Sequence, residues 1–283
     1  LDGSVRPFAL ALQSRLGKPV ILDHKPGANE AIGVQALLKA PADGYTFLAT
    51  SDAAVILAPL LNSKLPYKPQ QDLVPVSQLT NGPVVFVVPE ASPARNIKDF
   101  IALAKKSSEG GRELTYGSSG VGGTLHIAMA SFSHDQKLKM THVPYKGSAD
   151  MLKEMASGLL DSAVAGAPSV RALIEAKKIR ALAVSSSNRL PMLPDVPTLK
   201  EEGIADFGTA FIGLFAREGT PKEIVEAMSE AARLSAADSQ LRKQLDQVGA
   251  EAVGSTSQDF AALIKSKYAT QQARLKSIDV DMR

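Results

Sequence analysis

At 283 residues the chain exceeds one average domain and fits two modest ones. Its apolar share of 45% and charged share of 22% are those of a globular protein, and a net charge of +3 with no basic run among aromatics argues against nucleic acid as a partner. The absence of cysteine excludes zinc–thiolate sites, redox pairs and cysteine nucleophiles, and no apolar run approaches a membrane span.

The start is abrupt: Leu1-Asp2-Gly3 enters a helix pattern directly, as in a mature or trimmed chain. Asp2 can cap that helix, which carries Val5, Phe8, Leu12 and Leu16 and ends near Gly17; Pro19-Val20-Ile21-Leu22 reads as the next strand. Pro26-Gly27-Ala28-Asn29 makes a turn, and Ile32, Ala36 and Leu37 mark a second helix. Asp43-Gly44 turns the chain into Tyr45-Thr46-Phe47-Leu48-Ala49, a short strand of the buried parallel kind, before a helix with Val55, Ile56 and Leu60. The alternation argues an α/β layer fold. Thr50-Ser51-Asp52 lies at the carboxyl end of that strand, where open α/β sheets bind ligands. The same residue types are preferred helix N-caps, so this feature alone supports both readings.

A proline-rich loop (Leu65-Pro66-Tyr67-Lys68-Pro69) precedes two strand candidates, 74–79 and 83–88. The second ends at Pro89-Glu90-Ala91-Ser92-Pro93, read as a crossing between domains. Asn96 caps a helix with Asp99 at its third position and an apolar stripe of Ile97, Phe100, Ile101 and Ala104.

That helix delivers the chain to Leu114-Thr115-Tyr116-Gly117-Ser118-Ser119-Gly120-Val121-Gly122-Gly123-Thr124-Leu125-His126. It begins as a strand, passes through a turn rich in glycine and serine, and enters a helix with Thr124 as the natural N-cap. Unpartnered N–H groups and the positive end of the helix dipole suit an anion, and the glycines allow close approach. An ordinary strand-to-helix turn has the same composition. Spacing excludes two sharper readings. Leu125 stands where a dinucleotide fingerprint needs its last Gly, and Val121 where a hydrolase elbow needs one.

Next, 140–145 reads as a strand, and Tyr145-Lys146-Gly147-Ser148 turns into a helix carrying Met151, Leu152 and Met155. Lys146 beside a helix N-terminus would complement a carboxylate, although most lysines are simply solvated. Strand 159–166 ends in small residues at Gly166, Pro168-Ser169 opens a helix, and strand 179–184 ends in Ser185-Ser186-Ser187. Lys177-Lys178 with Arg180 reads as a solvated helix end. Apolar 210–216, with Phe211, runs back across the domain boundary, Thr220-Pro221-Lys222-Glu223 starts a helix, and two amphipathic helices fill the end.

The case for an enzyme is weak. None of His24, His126, His134 and His142 has metal-ligand spacing. His126, one turn into the helix after the glycines, would bond either a carboxylate or a backbone group. Ser118 or Ser119 with His126 lacks an orienting acid, so a serine hydrolase stands only as a rival reading.

The order of these motifs resembles the periplasmic solute-binding receptors of tripartite tricarboxylate transporters, the TctC or Bug family. The resemblance rests on Arg15-Leu16-Gly17-Lys18-Pro19-Val20, Lys25-Pro26-Gly27-Ala28, Ala42-Asp43-Gly44-Tyr45-Thr46 and Leu65-Pro66-Tyr67. It continues through Tyr116-Gly117-Ser118-Ser119-Gly120 with His126, His142-Val143-Pro144-Tyr145-Lys146-Gly147-Ser148, Arg180-Ala181-Leu182-Ala183-Val184, Leu193-Pro194-Asp195-Val196-Pro197-Thr198 and Gly219-Thr220-Pro221. The resemblance implies a two-domain type II periplasmic-binding-protein fold with a ligand cleft between domains. It places domain 1 at 1–87 plus 216–283 and domain 2 at 88–215, with crossings near 84–90 and 211–217. It also implies a monomer that needs no cofactor or metal, closes on a small mono- or dicarboxylate, and works with the membrane components of such a transporter. Ligand contacts would come from Thr50, Ser51, Asp52, Ser118, Ser119, Gly120, Gly122, Gly123, Thr124, His126, Tyr145, Lys146 and Gly147, with Gly166 and Phe211 lining the pocket. A sensor for a signalling partner would use the same closure. The chain departs from the family in three ways. It begins at the last two residues of the usual opening Pro-x-x-Gly-Gly-x-x-Asp turn, it lacks a tryptophan near Phe211, and it lacks an acid near Ala165-Gly166. The last favours plain carboxylates over amino acids.

Overall fold

Apolar periodicity sorts the chain into two units with separate cores. The computed structural model describes residues 2–277 other than 26, 28, 29, 187, 205–209 and 248. One unit comprises Leu1–Gly82 and Ala210–Arg274, and the other Pro83–Thr209 with Leu275–Arg283. The first segment carries α1 (Asp2–Leu16), α2 (Ala31–Lys39), β1 (Leu48–Ser51), a π-helical turn (Ala53–Leu57) continued by α3 (Ala58–Leu61), α4 (Pro69–Asp72) and β2 (Leu73–Gly82). The second unit carries β3 (Val84–Pro89), α5 (Ile97–Glu109), β4 (Leu114–Ser118), α6 (Thr124–Asp135), β5 (Met140–Pro144), α7 (Ser148–Ala156), β6 (Ser162–Gly166), α8 (Ala167–Glu175) and β7 (Ile179–Val184). The chain then returns to the first unit with β8 (Ala210–Arg217), α9 (Lys222–Ala236), α10 (Ser239–Gln247), β9 (Glu251–Ala252) and α11 (Ser257–Ser277).

In the first unit, β8 is bonded antiparallel to both β1 and β2, and β9 pairs with β2, for the order β1-β8-β2-β9. The ladder between β2 and β8 shifts register beside Pro75, which has no N–H to donate. Alternation along β8 serves two cores. Phe211 and Phe215 pack on Phe260 of α11 with ring centroids 5.3 and 5.2 Å away, while Leu214 and Ala216 join Phe8 of α1 and Val225 of α9. Gly213 lies between the two phenylalanines, and a Cβ there would sit 2.1 Å from the Phe260 ring.

In the second unit, the run from Val84 to Val88 is wholly buried and needs a neighbour on each edge and a layer on each face. β3 is bonded antiparallel to β6 and β7, and β4 pairs parallel with β5 and β6, giving the order β5-β4-β6-β3-β7. Phe86, Phe100 and Phe132 meet on the face covered by α5 and α6, with Phe86 5.0 and 5.1 Å from the other two rings. Val85 and Val87 pack on the other face against Met151, Leu152 and Met155 of α7 and Val170 of α8. Asn96 caps α5 as its sequence predicts, accepting from the Asp99 N–H at 2.8 Å. Among the described residues, no helix is long and apolar enough to cross a membrane.

Several expectations need correction. Residues 19–22 form no strand; Ile21 is 86% exposed, so nothing holds the run in a ladder. Tyr45 is 92% exposed in a turn closed by its N–H to Asp43 Oδ1, and β1 starts three residues later as an antiparallel strand, because its neighbour β8 runs the opposite way. The buried stripe of α2 is Ala31, Val34 and Leu37, which turns Ile32 outward. Strand β3 belongs wholly to the second unit and β8 wholly to the first, since each is bonded on both edges there. The 89–93 segment is therefore inside the second unit.

Arg180 is no solvated helix end. It lies in β7 and donates to the carbonyls of Glu90, Ser92 and Ala94 at 2.8–3.1 Å and to the Glu90 carboxylate, pinning that segment. Pro221, not Thr220, precedes α9; the Thr220 hydroxyl is donated to the Arg217 carbonyl. Among the described residues three helices rather than two follow β8; the additional one, α10, is short and anchored by buried Leu241 and Leu245. Pro26, Ala28, Asn29, Ser187 and the capping side chain of Asp2 lie outside the described residues.

Substituting Gly213→Ala should cost about 1–3 kcal/mol through overpacking against Phe260 and Phe215. Urea denaturation would read it as a lowered midpoint with unchanged slope; a wild-type midpoint would show that the aromatic layer yields to a methyl group.

Candidate functional site

Strands β4, β5 and β6 run parallel, so all three carboxyl ends fall on one edge of the second unit's sheet. At that edge each strand hands over to a helix: α6 after Gly123, α7 after Gly147, α8 after Gly166. Each helix start brings N–H groups without intrahelical partners and the positive end of a dipole. The edge is therefore electropositive without depending on a charged side chain. Thr124 is the first residue of α6 rather than its cap; the cap position is held by the extended Gly123, which has no side chain to make a cap bond.

Two histidines prop the glycine turn from beneath. Ser118, with no exposed surface, donates its hydroxyl to the Gly120 carbonyl at 2.9 Å, and His142 Nε2 lies 2.7 Å from the same Oγ. With the hydroxyl proton spent on Gly120, His142 is the donor. His126 Nδ1 accepts the Gly122 N–H at 2.9 Å, which requires a neutral ring at that nitrogen. The two imidazoles stack at 3.7 Å and 8°, and Tyr116 stacks on His142 at 5.0 Å. Gly120 and Gly122 take φ of 139° and 71°, conformations that glycine alone enters freely. Burial lowers the His142 pKa from 6.5 and pushes the Tyr116 phenol up to about 12.

On the near side of the turn, Ser119 and Lys146 are exposed, while Gly120, Gly122, Gly123, Thr124, Tyr145, Gly147 and Gly166 are half-buried. The Tyr145 N–H donates to the Ser118 carbonyl at 2.9 Å and ties the second turn to the first. The structure thus gathers at one edge every second-unit residue that the sequence singled out, but Ser118 and His126 are struts under it. His126 takes a backbone group rather than standing open to a carboxylate. The Ser118–His142 pair does not make a nucleophile either. The hydroxyl is shielded from solvent, and no carboxylate among the described residues bonds His142.

In the first unit, Thr50 and Ser51 close β1, but their donors are already taken. The Glu30 carboxylate accepts from the Thr50 hydroxyl and, at 2.8 Å each, from the Ser51 N–H and hydroxyl. Glu30 sits immediately before α2 with φ of 71°, a left-handed conformation rare for a side-chain-bearing residue. No spacing or motif marked Glu30; its position in a glycine-containing turn was the sole signal. Asp52 is buried with helical dihedrals and makes no cap bond, because Ser51 Oγ accepts from the Ala53 N–H instead, at 3.3 Å. Burial, then Glu30, raises the Tyr67 pKa to about 12 while its hydroxyl donates to the Ala54 carbonyl at 3.0 Å. Phe211 is 1% exposed and packs on Phe260; the alternation of β8 turns it towards the core.

The family model described as "Tripartite tricarboxylate transporter family receptor" matches residues 5–280. The UPF0065 protein in the tcbD-tcbE intergenic region of Pseudomonas sp. (strain P51) is 32% identical over 269 residues, 94% of this chain and 79% of that protein. A solved structure titled as that of a periplasmic transporter matches with a TM-score of 0.86 and 32% identity, covering 99% of this chain and 94% of that one. An R. palustris protein solved with adipate matches with the same score and 30% identity, covering 98% and 92%. The two-unit α/β fold is that of periplasmic solute-binding proteins.

The neutral His142 carries a pH signature. Its folded pKa lies below 6.5, so on acidification the unfolded chain takes up the proton first. The stability tied to this group is complete above about pH 6.5, falls as pH drops towards the folded pKa, and levels off below it. Melting temperature should decline as pH falls below about 6.5, and His142→Asn should flatten that decline. An unchanged slope in the variant would remove His142 as its source.

Proposed function

Because the chain belongs to the tripartite tricarboxylate transporter receptor family, whose members are binding proteins and not enzymes, we propose that it is a periplasmic receptor that captures a small organic carboxylate by closure of its two units. The receptor then delivers the ligand, as a monomer, to the membrane components of such a transporter. One observation carries the reading: three helix N-termini share the carboxyl edge of one sheet, with glycine backbone, Ser119 and Lys146 at its surface. Such an edge suits a carboxylate, which accepts from backbone N–H groups, a hydroxyl and an ammonium. The R. palustris relative solved with adipate supports the carboxylate class.

The energetics are adequate. Hydrogen bonds to a charged group contribute about 1.5–3 kcal/mol each, and micromolar affinity needs about 8 kcal/mol net, so a handful suffices. A ligand that binds only the folded state raises its melting temperature, so a thermal-shift screen over small carboxylates should return at least one hit. With that hit as probe, Ser119→Ala and Lys146→Ala should each weaken binding by about tenfold in calorimetry, with the unliganded melting temperature nearly unchanged. Wild-type affinity in both variants would overturn the assignment of this edge.

A further inference from the structure

A cavity of about 560 Å³ opens on the first unit between α11 and the stretch that carries α4 and the start of β2. Its floor includes Val55, Leu73 and Phe215, all buried, and its volume lies in the range of small-molecule sites. Both long walls are poor in polar groups for identifiable reasons. On α11, Ala261, Lys265, Ala269 and Gln272 recur at helical spacing along one face, so the wall runs for about 17 Å, and its two alanines keep it shallow. Opposite, Pro69 and Pro75 have no N–H to offer a polar guest. Four polar side chains stand around this trough: Gln70, Lys265, Tyr268 and Gln272. Among the described residues none of these four side chains has a hydrogen-bond or ion-pair partner, and no acid lines the cavity. An ammonium, a phenol and two amides make donors predominate, with the charge of a single cation.

We infer that this cavity is a binding site for one medium-chain fatty acid, separate from the strand-end edge of the second unit. The alkyl chain lies on the apolar floor, and the carboxylate meets the Lys265 ammonium, with the Tyr268 phenol or the Gln70 amide as a further donor. A neutral lipid leaves the ammonium without a counter-charge, and an alkylammonium meets a like charge. A short dicarboxylate would have to bring its second charge onto the apolar floor. All the lining residues belong to one unit, and the site stands or falls separately from the receptor reading.

The chain has no tryptophan, so a single introduced one is a local reporter. Gln272→Trp sets it at the rim of the cavity, and Tyr45→Trp sets it in an exposed turn that does not line the cavity. Titration with ω-bromoundecanoate, whose bromine quenches on contact, should give saturable quenching at one equivalent in Gln272→Trp and none in Tyr45→Trp. In calorimetry, wild type should bind octanoate at least about tenfold more tightly than octanol or octylamine. Lys265→Ala should erase that preference and Lys265→Arg should keep it. Ala269→Trp places a ring in the trough from an exposed helix position and should abolish binding with a melting temperature near that of wild type. Should Ala269→Trp melt early, the two Lys265 variants carry the decision alone.

Non-saturable quenching, or equal quenching of both reporters, would mean detergent-like adsorption and overturn the site. Equal affinity for octanoate, octanol and octylamine, or octanoate binding untouched by Lys265→Ala, would overturn the fatty-acid assignment. No heat and no quenching with either acid would overturn both. Each of these results leaves the receptor reading as it stands.

Discussion

The organising constraint is the parallel run of β4, β5 and β6. Three parallel strands cannot be joined by hairpins, so each must return through a helix, and all those helices begin at the same edge. The electropositive character of that edge is thus a property of topology before it is a property of side chains. What the side chains add is permanence. Ser118, His126 and His142 brace the glycine turn from below through the Gly120 carbonyl and the Gly122 N–H.

Much of this was legible in the sequence because it depends on local pattern. The Asn96 cap, the stripe of α5, the buried run of β3 and the turn from β4 into α6 each follow from a few adjacent residues. The misreadings involve partners far along the chain. Whether Val20-Ile21-Leu22 pairs, whether β1 is parallel, and to which unit β8 belongs are decided by strands up to about 170 residues away. Arg180 illustrates the point: in sequence it extends a basic helix end, and in the fold it reaches back across 90 residues to Glu90.

The candidate site divides along the same line. Its glycines, Ser119 and Lys146 were readable because strand, small-residue turn and helix are contiguous. The roles of Ser118, His126 and His142 were not, because a strut and a ligand contact have the same composition and differ only in which side of the turn they occupy. Glu30 was invisible for a third reason. It meets Thr50 and Ser51 from 20 residues upstream, and its left-handed backbone leaves no trace in periodicity.

The central position of β8 in the first unit's sheet has a consequence for synthesis. All five strands of the second unit's sheet lie within 84–184, so on the ribosome that sheet is complete before Ala210 is made. The first unit must wait: β1 and β2 have no partnership with each other and are joined only through β8. Until it arrives, the edges of β1 and β2 that pair with β8 are unsatisfied, a state prone to misassociation. The chain therefore emerges with the strands of its second unit complete and its first unit dependent on a strand that comes about 130 residues after β2. A nascent chain that stalls in that interval is the species a chaperone would meet.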